Sequence, residues 1–357
     1  MQHTALSRLF GLELPLIQAP MAGGYTTPAL VAAVSNAGGL GSLAAYLLKP
    51  EEIAAEVAAI RALTRAPFAI NLFLPEPLPT VSDAELKAAA DALAPIAQEL
   101  AIEPPRPVRA PVPDFAAQLE AVLAARPAVA SFVMGVPPGD AIARLHAAGI
   151  KVLGTATTVA EAQALAAAGC DALVAQGAEA GGHRAAFLPE AADRLTGGFT
   201  LAQQVARALE LPVIAAGGIM DGHGIAAALA AGAAAVQLGS VFLIAREAGT
   251  PPALRDALTE LRREPSVITR VFTGKPARVI RNRFVELMER PGVPVAPWPF
   301  QGPLTLALRR AALKQERREH MFLLVGQGAP FMRALPAASM IREFMAEYRA
   351  TVQRLAS

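Results

Sequence analysis

Lys151-Val-Leu-Gly-Thr-Ala-Thr-Thr158-Val-Ala-Glu161-Ala-Gln-Ala-Leu-Ala-Ala-Ala-Gly169-Cys-Asp171-Ala-Leu-Val-Ala-Gln176 reads as a strand, a helix and a second strand within twenty-six residues. The opening run Lys151–Ala156 is short and mostly apolar, as a buried strand is. Thr158 and Glu161 then stand at capping-box spacing, which predicts a helix start. That helix is expected to stop at Gly169, because glycine takes the left-handed conformation that ends helices without a Cβ penalty. A second apolar run, Asp171–Gln176, follows at once. Strands joined through a helix are parallel neighbours, so this stretch sets the class as α/β.

The pattern repeats outward in both directions. Ala147-Ala-Gly149 and Ala230-Ala-Gly232 end helices as Gly169 does, each with a strand soon after. Strands are expected at Leu14–Gln18, Leu40–Ala44, Phe68–Leu74, Ala128–Gly135, Lys151–Ala156, Asp171–Gln176, Pro212–Gly218 and Ala234–Leu243. Thr27 and Pro28 begin one intervening helix, and Pro50-Glu51-Glu52 begins another. Eight strand–helix units in about 260 residues fit a closed (β/α)8 TIM barrel. An open doubly wound sheet lacks its G-x-G-x-x-G after the first strand. The expected division is a barrel over 1–245 with an excursion at 75–113, a helical cap over 246–333, and a returning helix over 334–357. Ser82 and Glu85 predict a helix in the excursion running toward Leu100. Phe272 to Asn282 reads as loop, and helices fill the rest of the tail.

Composition narrows the function. The chain has 357 residues, 54% hydrophobic and 17% charged, with a net charge of +2. That balance gives no basic footprint for nucleic acid. The basic run from Arg309 to Arg318 is interleaved with Glu316, so it reads as a solvated helix face. Cys170 is the single cysteine, so no intrachain disulfide or cysteine metal cluster can form, and no metal site is expected. A reducing cytoplasm suits such a chain, and Met1–Phe10 has no apolar signal core. Ile225 to Ala245 carries no charge, but its glycines divide it into helix and strand, so no membrane span is expected.

Chemistry of a barrel collects in the loops after the strands. There stand Gln18, Ala19 and Met21, then Asn71, then Gln176-Gly-Ala-Glu-Ala-Gly181-Gly182-His183. Gly217-Gly218 and Gln237-Leu238-Gly239-Ser240 follow strands seven and eight, the common phosphate position of this architecture. Together these loops point to a phosphorylated cofactor. His183 is the proton-handling candidate, since an imidazole titrates near neutral pH. Glu179 reads as a structural acid that hydrogen-bonds backbone. His146 and His320 read as solvated, and His223 as a surface residue at a helix start.

Over nearly its whole length the sequence resembles the nitronate monooxygenases, formerly 2-nitropropane dioxygenases. The carriers are Gln18-Ala-Pro-Met-Ala-Gly-Gly, Ser35-Asn-Ala-Gly-Gly-Leu-Gly, Asn71-Leu-Phe, Gln176-Gly-Ala-Glu-Ala-Gly-Gly-His, Ala215-Ala-Gly-Gly-Ile and Gln237-Leu-Gly-Ser. The resemblance implies FMN, bound at Asn71, Gln176, Gly181, Gly218 and Gln237–Ser240, with His183 catalytic beside it. Gln18, Ala19, Met21, Gly182 and Gly217 are expected around the same cofactor. It implies oxidation of nitronates by O2 to a carbonyl compound and nitrite. The alternative on the same barrel is an NAD(P)H-dependent flavin reductase of quinones or enoyl thioesters. Tyr46, Trp298 and Phe300 are candidate aromatic walls. With three tyrosines, the chain departs from the tyrosine-rich cap of the best-known members. Gly326-Gln-Gly328 also resembles the family's C-terminal region, without an assigned role.

Overall fold

The computed structural model describes residues 4–108, 113–261 and 266–357. Eleven strands fall within them: β1 Leu16–Gln18, β2 Gly41–Ala44, β3 Phe68–Phe73, β4 Val129–Val133, β5 Lys151–Ala156, β6 Ala172–Gln176, β7 Gly182–His183, β8 Val213–Ala216, β9 Ala235–Leu238, β10 Ser266–Thr269 and β11 Ala277–Ile280. Eight of these form one parallel sheet in the order β1-β9-β8-β6-β5-β4-β3-β2. Two hydrogen bonds close its ends: Gln18 N–H donates to Leu40 O and Leu40 N–H to Leu16 O, each at 2.9 Å. The predicted barrel is therefore present.

The two-residue period of each strand sorts the side chains into two cores. Ile17, Ala69, Val129, Leu153, Val174, Ile214 and Ala235 share the barrel interior. Their neighbours Leu16, Ile70, Ala130, Val152, Leu173, Val213 and Val236 pack outward against the helices. One helix escaped the sequence reading. The helix Ala5–Phe10, capped by Thr4 and ended by Gly11 at φ 68°, puts Leu6 and Phe10 into the interior cluster. Six residues are too few to show a helical period, so its apolar plug was invisible.

The helix Pro28–Asn36 starts at Thr27, whose hydroxyl accepts from Leu30 N–H at 3.0 Å. The helix Val159–Ala168 ends at Gly169 with φ 101°. Its capping box is only half formed. Thr158 caps it, but the Glu161 carboxylate is fully buried and accepts from Thr157 N, Thr157 Oγ1, Phe187 N and Leu188 N. The charge-free run after Ile225 divides, as expected, between the helix Gly222–Ala230 and β9. No described helix is long and apolar enough to cross a membrane.

Three expectations need correction. The helix after Ser82 is two helices, Asp83–Asp91 and Ala94–Glu99, since Pro95 cannot sit inside a continuous one. The stretch read as loop contains β11, which pairs antiparallel with β10 on one side and β7 on the other. And His320 is fully buried, with Nε2 2.9 Å from Glu99 Oε2. The helices of the excursion share their apolar core with the cap: Leu86, Leu93 and Ile96 lie in one cluster with Leu254, Phe284 and Leu304. Residues 109–112 of the excursion and 262–265 of the tail lie outside the described residues.

Candidate active site

His183 is held as a strand residue. In β7 it pairs with Ala277 of β11, and Gly182 pairs with Arg278. Gly182 has φ 80°, a conformation that glycine takes without strain. Gln176, at the end of β6, clamps this segment from behind. Its Nε2 donates to His183 O at 3.0 Å and its Oε1 accepts from Ala185 N at 2.9 Å. The Gln176 amide thus has one N–H left for any ligand. Arg184, also buried, ties the loop down by donating to Gly177 O at 3.0 Å and Arg194 O at 3.1 Å. Glu179 holds backbone, as expected: both carboxylate oxygens accept from Gly198 N, at 3.0 and 2.8 Å.

The imidazole projects into an aromatic recess. Nε2 hydrogen-bonds Thr273 Oγ1 at 2.9 Å. The Trp298 ring stands edge-on at 5.7 Å between centroids and Phe322 at 6.5 Å. Tyr46 lies 6.2 Å beyond Trp298 and stacks on Phe73 at 4.1 Å. Tyr46 and Trp298 are therefore walls, whereas Phe300 is buried in the core of the cap. A crevice lined by Tyr46, Phe73, Glu76 and Trp298 opens beside them.

The electrostatics favour a neutral histidine. His183 keeps a partly exposed edge, yet the surrounding protein desolvates its ring. That burial first, then the charges of Lys275 and Arg309, pull its pKa down to about 4. An imidazole in this state is unprotonated at pH 7 and available as a base. Lys275 is paired with Glu76. Arg309 lies over the Phe322 ring at 5.2 Å and is largely shielded, which lowers its own pKa to about 10. This corrects its reading as part of a solvated face.

The glycine loops after β8 and β9 form a cradle. Gly217 and Gly218 have φ 116° and 74°. An added Cβ would stand 3.0 Å from Ala180 N at Gly217 and 3.2 Å from Glu179 Cβ at Gly218. Among the described residues, the N–H groups of Gly217, Gly218, Gly239 and Ser240 donate to no protein acceptor. Four unclaimed amides on adjacent loops suit an anion such as a phosphate. The helix Gly222–Ala230 itself does not offer its N-terminus. Asp221 caps Gly224 N at 2.8 Å and Glu347 accepts from Gly222 N at 2.9 Å. Gly326–Gly328 seals the cradle: Gly326 N donates to Ser240 Oγ at 2.8 Å and Gln327 N to Glu179 O at 3.0 Å. A Cβ on Gly181 would meet Gly326 N at 2.4 Å, so glycine there permits the seal.

The remaining expected residues divide. The buried Asn71 donates to Ser131 O and Oγ at 3.2 and 3.0 Å, which leaves its carbonyl oxygen unengaged among the described residues. Gln237 makes no side-chain hydrogen bond among them and is partly exposed. Gln18 differs: its buried amide crosses to β2, with Oε1 accepting from Ser42 N at 3.0 Å and Nε2 facing Ala19 O, Thr26 and Ser42 O. It joins strands and has no free edge to offer. Ala19 N donates to Leu238 O at 2.8 Å and Met21 N to Thr26 Oγ1 at 2.9 Å, so these two shape the loop beside the cradle. Leu238 is buried. Sequence reasoning missed Thr273, Lys275 and Phe322; a Thr-Gly-Lys run among apolar residues was the signal. His146 and His223 are surface residues that pair with Asp171 and Thr351.

The profile of a family described as nitronate monooxygenase matches residues 3–347. A nitronate monooxygenase of Pseudomonas aeruginosa is 44% identical over 347 residues, 96% of this chain and 98% of that protein. A solved nitroalkane oxidase from Streptomyces ansochromogenes superposes with a TM-score of 0.91 at 41% identity, covering 99% of this chain and 100% of that one. FabK from Thermotoga maritima superposes at 0.78 and 28% identity, covering 100% and 99%.

Proposed function

The chain belongs to the nitronate monooxygenase family, and on that premise we propose that it oxidises alkyl nitronates, such as propionate-3-nitronate, with O2 to a carbonyl compound and nitrite, using FMN. The observation that carries the cofactor is the cradle of four unclaimed N–H groups at Gly217, Gly218, Gly239 and Ser240. It suits the FMN phosphate. Asn71 and Gln237, with unengaged polar atoms, and the last N–H of Gln176 suit the hydrogen-bonding edge of a flavin ring. Gly181 and Gly182 allow close backbone approach beside it. When bound, the flavin supplies electron transfer from the nitronate and toward O2.

The chain's own residues do the rest. His183 takes the α-proton of a neutral nitroalkane or faces the nitronate oxygen, in the unprotonated state its surroundings impose. Thr273 fixes the ring plane through Nε2. Trp298, Phe322 and Tyr46 keep water from the reacting carbon and give the alkyl chain an apolar surface. Lys275 and Arg309 set a positive potential that suits an anion.

The competing reading, an NAD(P)H-dependent flavin reductase of quinones or enoyl thioesters, draws on the superposition with FabK. One experiment separates the two. The purified protein is expected to be yellow, to bleach anaerobically with propionate-3-nitronate and not with NADH, and to release nitrite in air. Bleaching by NADH with no nitrite would favour the reductase. A colourless protein that fails to take up FMN would remove both.

A further inference from the structure

The run Pro75-Glu76-Pro77-Leu78-Pro79 follows β3, and from Pro75 to Leu78 it lines the crevice beside Tyr46 and Trp298. Proline at alternate positions stiffens the run and removes three backbone donors. It therefore cannot fasten itself along its length as a strand does. Among the described residues, 75–80 make a single polar tie to the rest of the protein, from Lys275 Nζ to Glu76 Oε1. The two partners are 199 residues apart. The Lys275 side chain is 9% exposed and that of Glu76 25%. An ammonium so deeply buried is costly unless a carboxylate answers it, so each partner holds the other in place.

Lys275 closes the turn on which the imidazole rests. Thr273 Oγ1 lies 2.9 Å from His183 Nε2 and 3.4 Å from Lys275 O. Between the two residues Gly274, at φ 86°, presses on the segment before Trp298: an added Cβ would stand 2.6 Å from Ala296 O and would also strike Trp298 N. Trp298 meets His183 at 5.7 Å and Tyr46 at 6.2 Å. Tyr46 stacks on Phe73, two residues before Pro75. These contacts form a closed circuit from the proline run through Glu76, Lys275 and Thr273 to His183, and back through Trp298, Tyr46 and Phe73. Both charges of the pair are felt within it: burial and then Lys275 lower the His183 pKa, and burial and then Glu76 raise that of Tyr46.

We propose that Glu76 is a positioning residue of this site: by holding Lys275 it straps the run Pro75–Pro79 along the recess and fixes the turn Thr273–Lys275 that aims the His183 imidazole. The proposal rests on the nitronate-oxidising function above. Glu76 has no hydrogen bond to His183 or Thr273, so its effect runs through Lys275. A base that loses its aim loses proton transfer before it loses binding.

The test compares the parent protein, Glu76→Gln, Lys275→Met and the double variant on nitroethane and on ethyl nitronate. Nitroethane must give up a proton at the site, whereas ethyl nitronate has already lost it. Glu76→Gln is expected to lower kcat for nitroethane about 10- to 100-fold, the effect of a misplaced base, with a much smaller loss on ethyl nitronate. Lys275→Met should do the same, and the double variant should lose no more than either single one, because the two residues act as one pair. The double variant leaves no buried charge unpaired, so it carries the comparison if Glu76→Gln folds poorly. Equal losses on both substrates, or single losses that multiply in the double variant, would overturn the proposal. Trp298 is the only tryptophan of the chain and reports on the same recess without turnover. Its fluorescence should be quenched more readily by acrylamide in Glu76→Gln and in the double variant than in the parent; unchanged quenching would overturn the strap. If the parent releases nitrite from neither substrate, the oxidase reading fails by itself, and the quenching comparison decides the strap alone.

Discussion

His183 Nε2 and Thr273 Oγ1 lie 2.9 Å apart, although ninety residues separate them in the chain. The threonine hydroxyl has one proton. It also lies 3.4 Å from Lys275 O. The hydroxyl bridges the imidazole and that carbonyl, both held by the segment Thr273–Lys275. The tail thus sets the orientation of the histidine. Thr273→Val keeps the shape and removes the hydroxyl. It is expected to lower kcat about five- to tenfold, the worth of one hydrogen bond, with flavin content unchanged. Equal turnover in the two proteins would assign Thr273 to packing alone.

His183→Ala should separate proton removal from cofactor retention. The variant is expected to purify with its FMN, since the cradle lies on other loops. Nitrite release from neutral nitroalkanes should fall about 10²–10⁴-fold, and release from preformed nitronates should fall less, because that proton is already gone. Equal losses on both substrates would reassign His183 to anion binding.

The depressed pKa of His183, about 4 in the folded protein, has a signed effect on stability. The ordinary value near 6.5 applies in the unfolded chain. Above that pH the residue is neutral in both states and costs nothing. As the pH falls from there toward 4, the unfolded chain takes up the proton first and stability drops. His183→Gln removes this contribution, so its urea midpoint should fall less than the parent's between pH 6.5 and 4. Parallel declines would show that the imidazole is not held neutral.

Gly218 tests the cradle. Its φ of 74° and the 3.2 Å approach of Glu179 Cβ to an added Cβ mean that Gly218→Val must move the loop. The N–H pair at 217–218 then loses its aim. Flavin should be lost on purification, with little change in the far-ultraviolet circular dichroism. A fully yellow Gly218→Val protein would place the phosphate elsewhere.

Glu161 tests the frame behind the site. Four donors converge on its fully buried carboxylate, and it offsets the buried charge of Arg184. Glu161→Gln puts an N–H2 group where those donors point. It should cost about 3 kcal/mol of stability, read as a lowered urea midpoint with an unchanged slope. An unchanged midpoint would mean that water replaces the carboxylate.

The barrel was legible because its signals are local. Alternating apolar runs, capping threonines and helix-ending glycines each act within a few residues, and Thr27, Thr158 and Gly169 act in the structure where the sequence places them. The glycines of the site were legible for the same reason, since a backbone that needs positive φ declares itself by composition. Glu161 shows the limit: its spacing from Thr158 predicts a cap, but burial gave its carboxylate four other donors.

Only the tertiary structure decided what surrounds His183. The sequence by itself determined that a histidine follows Gly181-Gly182 at the end of a strand. That this histidine lies in β7 against β11, bonded to Thr273 and flanked by Trp298, Phe322 and the field of Arg309, depends on a tail ninety or more residues away. Contacts at such separation leave no periodic trace, because each partner needs to satisfy only its own local pattern. Arg309 looked like one more cation on a charged helix, and His320 like a solvated residue. Burial, which is a property of the assembled fold, separated both from their neighbours.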